Sequence, residues 1–318
     1  RDCLGRRLRC LAEINIWWTK NNFLRPLGQY LLGGLMVLER SAGGNTAYFL
    51  GEVSASGWWY YFPAVFLLKE PIPSLVFILV AFLLGAWSIF KKLKTKSYKL
   101  KAVNDYLGTN FAEFSMISFV VLYWLYSIKS PLNIGVRHIL PTAPFIYILA
   151  TGAVKKCMTG GSFTKSLKVI FLGALLLWYL GEAVFAYPYY ISYFNQFGGG
   201  VDNGYKYVTD SNYDWGQDLK RLADWVDKNN IKKIAVDYFG GGSPKYYLGD
   251  RAENWGSAKG NPKDSGIEWL AVSINTIQGA KGKLHPGQER KLEDEYLWLK
   301  DPYNPYARAG TSIFIYKL

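Results

Sequence analysis

The chain has 318 residues, 50% of them hydrophobic and 17% aromatic, with a formal net charge of +13. This apolar content excludes intrinsic disorder, and three cysteines are too few for a disulfide scaffold. The mean hydropathy of +0.00 averages two unlike parts: residues 1–187 hold 20 Lys and Arg against 8 Asp and Glu, and residues 188–318 hold 17 against 16. Positive charge interleaved with long apolar runs points to a lipid bilayer as partner and away from nucleic acid.

Residues 1–70 read as a loop outside the membrane with interfacial helices. Within it, residues 24–38 are apolar but glycine-rich and broken by Arg25 and Pro26, as in a surface-lying helix. Residues 58–68 (WWYYFPAVFLL) are too short to span, and Trp58, Trp59, Tyr60 and Tyr61 suit the membrane–water interface. Residues 71–187 then form a transmembrane region. The run 71–90 is 20 residues without a charge, about 30 Å as a helix, the thickness of a bilayer core. Residues 111–128, 139–154 and 167–187 are three further spans, the middle one interrupted by Pro141 and Pro144. Residues 91–101 contain six lysines, and residues 155–168 contain four lysines and no acid. Positive-inside bias therefore places both connections in the cytoplasm and residues 1–70 and 188–318 outside, where they can meet. The start at Arg1, with no signal peptide, leads us to expect the C-terminal part of a longer multi-pass protein of the cell membrane.

Residues 188–318 read as a small extracytoplasmic α/β domain. A helix over 214–229 is predicted from Trp215, Leu219, Leu222 and Val226, with Asn212 as its N-cap. A strand at 231–239, a glycine turn at 240–242, a short helix at 243–248, a strand at 268–275, a charged helix at 288–299 and a strand at 311–316 complete it.

The common enzyme signatures G-x-S-x-G, H-E-x-x-H and C-x-x-C are absent. Asp210, Asn212 and Asp214 open like a calcium loop, but Trp215 stands where the loop glycine belongs and Arg221 where its last acid belongs. Helix capping and a metal or sugar contact both remain open there, no metal ligand set is assigned, and no cofactor is implied. Arg137 and His138 stand together at the outer mouth of a span. A snorkelling interfacial arginine and a phosphate clamp both fit them. Glu182, within the last span, is either functional or the partner of Arg137. Glu52 precedes the aromatic run and faces the same interface.

The segments 48–71 (YFLGEVSASGWWYYFPAVFLLKEP), 133–141 (NIGVRHILP), 187–200 (YPYYISYFNQFGGG) and 210–222 (DSNYDWGQDLKRL) occur in that order. Together they resemble membrane glycosyltransferases of the GT-C superfamily, near glycosyltransferase family 39, with protein O-mannosyltransferases and lipid A aminoarabinose transferases as relatives. Tyr189 and Gln196 depart from that pattern, standing where a His and a Glu are expected. The resemblance implies transfer of a sugar from a polyprenyl-phosphate donor to a hydroxyl of a protein or glycolipid acceptor, on the outer face of the membrane. It implies an acidic general base in a first outer loop upstream of this chain, with Glu52 the candidate within it. Arg137 and His138 would clamp the departing phosphate, with Lys69 a second cation. The aromatic residues 58–61 would stack on lipid or sugar. Asp210, Asn212, Asp214, Trp215, Gln217 and Asp218, with Glu182, would contact the acceptor or fix the outer domain. The alternative is a non-catalytic membrane-anchored module that binds glycans or assembles an envelope complex, in which Arg137 is neutralised internally by Glu182.

Overall fold

The computed structural model describes residues 13–94, 108–158 and 162–318. A short helix over 13–20 precedes α1 (Arg25–Gly43), which has a proline in its first turn, where a missing N–H costs nothing. α1 leaves Leu27, Tyr30, Met36 and Val37 exposed. β1 (Ala47–Phe49) and β2 (Glu52–Ser54) form a hairpin that turns at Leu50 and Gly51, both at positive φ. Two positive φ values in succession give the tight turn whose twist matches the strands.

α2 (Tyr61–Lys69) leads into α3 (Ile72–Lys94) through a bend of 117°. Pro71 causes it: the residue before a proline is forced out of the helical region, and Glu70 is extended at ψ 132. α4 (Phe111–Lys129), α5 (Ala143–Met158) and α6 (Ser162–Ala186) follow. Among the described residues, α4 and residues 166–186 of α6 are long and apolar enough to cross a membrane, and the bent pair α2–α3, counted as one span, makes up to three such units. The span expected over 139–154 takes another form. Pro141 and Pro144 remove helix donors there, so two 3-10 turns (Val136–His138 and Leu140–Thr142) precede α5. The 16 described residues of α5 make about 24 Å of helix.

The helices share two ends. At one, Trp124 Nε1 of α4 donates to Thr142 Oγ1 before α5 at 3.1 Å, and Phe66 of α2 packs edge-on against Trp124 at 5.3 Å. At the other, Lys156 pairs with Glu113 at 2.7 Å, in the lysine-rich segment 155–168, expected as a loop but helical at 155–158 in α5 and 162–168 in α6. Of the lysine run 91–101, residues 95–101 lie outside the described residues.

The C-terminal region is an α/β unit. It comprises α7 (Leu219–Lys228), β3 (Ile234–Asp237), α8 (Pro244–Leu248), β4 (Ala252–Asn254), β5 (Trp269–Ser273), α9 (Ile274–Lys281), β6 (Lys283–Leu284), β7 (Ala307–Ala309) and β8 (Ile313–Lys317). Its main sheet has the order β4-β3-β5-β8-β7, parallel over β4-β3-β5 and antiparallel beyond. Alternation along the strands sorts the side chains between two cores. Ile234, Val236, Ala271, Ile313 and Ile315 meet Leu219, Leu222 and Val226 of α7. Ala235, Leu270, Val272, Phe314 and Tyr316 belong to one cluster with Phe49, Trp58, Tyr61, Phe62 and Val65. β2 also pairs in parallel with β6, Glu52 opposite Lys283. Residues 47–65 therefore pack as part of the C-terminal core, and the two regions expected to meet do so.

Two expected elements change. The helix of 214–229 begins only at Leu219, and Asn212 does not cap it. Residues 288–299 form no α-helix but a 3-10 turn at Leu292–Asp294. Tyr296 has φ 49 and its N–H donates to Ser257 Oγ at 2.7 Å, while Leu292 and Leu297 are exposed, so no apolar stripe exists to hold a helix.

Candidate functional site at the end of the helix bundle

Asn212 organises the junction between the helices and the α/β unit. Its side chain is fully buried. Oδ1 accepts from Val136 N at 2.9 Å, and Nδ2 donates to Tyr61 OH at 2.8 Å and Thr209 O at 3.3 Å. Ser211 Oγ donates to Ile134 O at 2.6 Å, which pins the Arg137 loop from a second point. On the other side of that loop, Asn133 Oδ1 accepts from Trp58 N at 2.6 Å. Gly57 has to be glycine there, since it has φ +71 and a Cβ on it would lie 2.5 Å from that same oxygen.

Replacing Asn212 by Ala strands the Val136 N–H and the Tyr61 hydroxyl inside the protein. At about 1–3 kcal/mol for each unpaired buried group, we expect a loss of about 2–6 kcal/mol, read as a lower unfolding temperature in detergent. An unchanged temperature would show that the junction is not held by this residue.

The Arg137 guanidinium lies over the Trp215 ring, 4.2 Å from its centroid, a cation–π contact. Both residues are solvent-accessible, Trp215 with 55% of its surface exposed. His138 is half-buried in the same 3-10 turn. The pair sits at the end of the bundle opposite the Lys156–Glu113 pair and the connection 155–168. Beside it opens a cleft of about 540 Å3, whose lining includes Trp215, Lys220, Tyr238, Gly241, Gly242 and Tyr247.

The remaining residues singled out in the sequence fall into distinct settings. Lys69 Nζ donates to Ile191 O at 2.8 Å and to Asn212 O, and lies 4.8 Å from the Phe194 ring centroid. It is thus a cross-link between backbone carbonyls rather than an open phosphate ligand. Trp58 and Tyr61 are core side chains, which corrects their assignment to lipid or sugar stacking. Burial against Phe49 makes them unreachable, and of the four only Trp59 is largely exposed, with Tyr60 half-buried. Gln217 accepts from Trp215 N at 2.8 Å and donates to Tyr213 O at 3.0 Å and Ser192 Oγ at 3.3 Å, so it shapes the loop. Asp210 Oδ1 accepts from Ser211 N at 2.5 Å, and Asp214 Oδ1 from Gly216 N at 2.9 Å. These side chains turn to separate partners, and among the described residues no group of three or more His, Cys, Asp or Glu could hold a metal. Glu52 is half-buried at the start of β2.

Glu182 does not serve as the partner of Arg137. Its carboxylate accepts from Tyr193 OH and, at 3.2 Å, from Gln196 Nε2. Sequence reasoning passed over Glu70, which accepts from Tyr147 OH of α5. The signal was present, because an acid between two apolar runs marks a polar contact within the membrane region. It also missed Tyr238, whose hydroxyl donates to Gly216 O at 2.7 Å and joins the Asp214–Gly216 loop to the end of β3.

Comparison of the chain with protein-family models, curated proteins and solved structures finds no match.

Proposed function

We propose that the chain belongs to a membrane glycosyltransferase of GT-C type, in which Arg137 receives the phosphate of a polyprenyl-phosphate sugar. On this reading α3 to α6 cross the membrane as four spans, and the α/β unit lies on the outer face. The observation that carries the proposal is the Arg137 guanidinium, held over Trp215 at the lip of an open cleft. Its place at the end of the bundle away from the lysine-rich connection 155–168 supports the outer location.

The reaction asks little more of this region. The acceptor oxygen forms a bond to the anomeric carbon as the bond from that carbon to the phosphate oxygen breaks. The bonding pair leaves with the phosphate, and the hydroxyl proton passes to a carboxylate base upstream of this chain or to Glu52. A planar guanidinium fork matches the charge growing on the phosphate. Trp215 holds that fork in place without neutralising it. The internal neutralisation expected of a non-catalytic module would need a partner such as Glu182, whose carboxylate is bound by Tyr193 and Gln196.

The test is transfer from a polyprenyl-phosphate sugar by the full-length protein that contains this chain, reconstituted in proteoliposomes. Arg137→Ala should lower turnover on the order of 100-fold or more, as for loss of one donor to a developing oxyanion. Membrane insertion and unfolding temperature should stay as in the wild type. Arg137→Lys should recover part of the rate, because the charge returns without the fork. Wild-type turnover by Arg137→Ala would remove Arg137 from the reaction.

A further inference from the structure

The cleft beside Trp215 is a built feature of the α/β unit, and its position follows from the topology. β3 continues through the glycine turn and α8 to β4 on one side, while the neighbouring β5 leads toward the β8 side. Connections diverge at the carboxyl end of β3, the place where open α/β sheets leave a crevice for ligands. The walls are fixed by close backbone contact. Gly216 has φ +78 and Gly240 φ +151, and a Cβ on either would lie 2.9 or 2.8 Å from the other's Cα. No side chain fits between these loops, and Tyr238 OH ties them through Gly216 O. Nothing lies within 4 Å of a Cβ built on Gly241, so the turn opens toward the cleft it lines.

The lining combines aromatic rings with few polar groups. Trp215 and Tyr247 are 55% and 43% exposed, and the Tyr238 ring reaches the floor. Flat amphipathic rings suit a pyranose, which presents C–H faces and hydroxyl edges. Lys220 is the cation of the lining and belongs to the first turn of α7, where the helix dipole also favours negative charge. The Asp218 carboxylate does not cancel that preference, because it points into the β7–β8 turn. A volume of about 540 Å3 is within the ordinary range for small-ligand sites.

We infer that this cleft is a carbohydrate-binding site, with a carboxylate- or phosphate-bearing sugar placed against Lys220. Its service as the acceptor's docking place rests on the transfer reading above, whereas the binding of carbohydrate does not.

The full chain in detergent, applied to an array of neutral and acidic oligosaccharides, tests the assignment. Retention of acidic glycans is expected, with Tyr247→Ala and Trp215→Ala each lowering it about tenfold. Lys220→Gln should remove the advantage of acidic over neutral glycans. Tyr306→Ala, which alters an exposed ring packed on Trp269 away from the cleft, should change nothing. Absence of glycan retention, or retention indifferent to the Tyr247 and Trp215 variants, would overturn the assignment. Arg137→Ala separates the two readings: lost transfer with glycan retention intact supports both sites, and intact transfer with retention lost in the Tyr247 variant leaves only the cleft.

Discussion

Asp218→Ala should lower the stability of the α/β unit by about 3–5 kcal/mol, the range for breaking a buried charged network. Asp218 is fully buried. One oxygen accepts from Thr311 N and Ser312 N, both at 2.9 Å, and from Thr311 Oγ1 at 3.4 Å. The other accepts from Arg221 Nη1 at 2.5 Å. The arginine side chain is 35% exposed, so water compensates much of that pair and it adds little. The two backbone donors decide the outcome, because alanine leaves both unpaired in a buried turn. Gly310 is shaped around the same carboxyl group, at φ +60 with a built Cβ 2.2 Å from it. Asp218→Asn keeps the shape but turns an NH2 or a weaker acceptor toward the two N–H groups, so its loss should be roughly half as large. Thermal unfolding followed by tryptophan fluorescence reads this directly, since Trp225 and Trp269 pack together at 5.3 Å within the unit. An alanine variant within about 1 kcal/mol of wild type would show that water replaces the carboxylate in the turn. The cleft would register the same loss, because Asp218 sets the N-terminus of α7, and Leu219 and Lys220 line it.

What could be read from the sequence was what depends on periodicity and on single strong residues. The strands Ile234–Asp237 and Trp269–Ser273 lie inside the runs 231–239 and 268–275 that announced them, and Ile313–Lys317 overruns its expected 311–316 by one residue. The proline break before α5 moved a boundary that hydropathy alone had placed too early. α9 was not expected, because Ile274–Lys281 (INTIQGAK) carries only a two-residue stripe, Ile274 and Ile277, that tertiary packing completes. The three-residue strands β1, β2, β4 and β7 are too short for any alternation to show, and they exist because a partner strand supplies their hydrogen bonds. At the site, the pairing of Arg137 with Trp215 was out of reach although each had been singled out, since 77 intervening residues must fold before the two meet. The reassignment of Trp58, Tyr61 and Lys69 has the same origin. Their chemistry was visible, but exposure is a property of the assembled core, and Phe49, Asn212 and Ile191 decide it.

Stability of the α/β unit should fall as pH rises from about 4 to about 7, and Asp214 should account for most of the slope. Burial pushes this carboxyl from 3.8 up to about 7, and the neighbouring Asp218 charge adds to the rise against the opposing Gly216 N–H. The Ser312 and Ser273 side chains, like the Gly216 N–H, favour the ionised form, but burial outweighs them. Because the folded value is raised, the native state keeps a proton that the unfolded chain has already released between the two values. The unfolded state then binds fewer protons and stability declines with pH. It is at its full value below about 4 and levels off once the native carboxyl has also ionised. A rise of about three units corresponds to about 4 kcal/mol across that window. Asp214→Asn keeps the acceptor for Gly216 N–H, supplies donors that need no protonation, and cannot ionise. Its stability should match wild type near pH 4 and exceed it by up to about 4 kcal/mol at pH 8. Denaturant midpoints of both proteins across pH 4–8 decide the matter, and parallel profiles would mean that Asp214 is ionised throughout and hydrated within the fold.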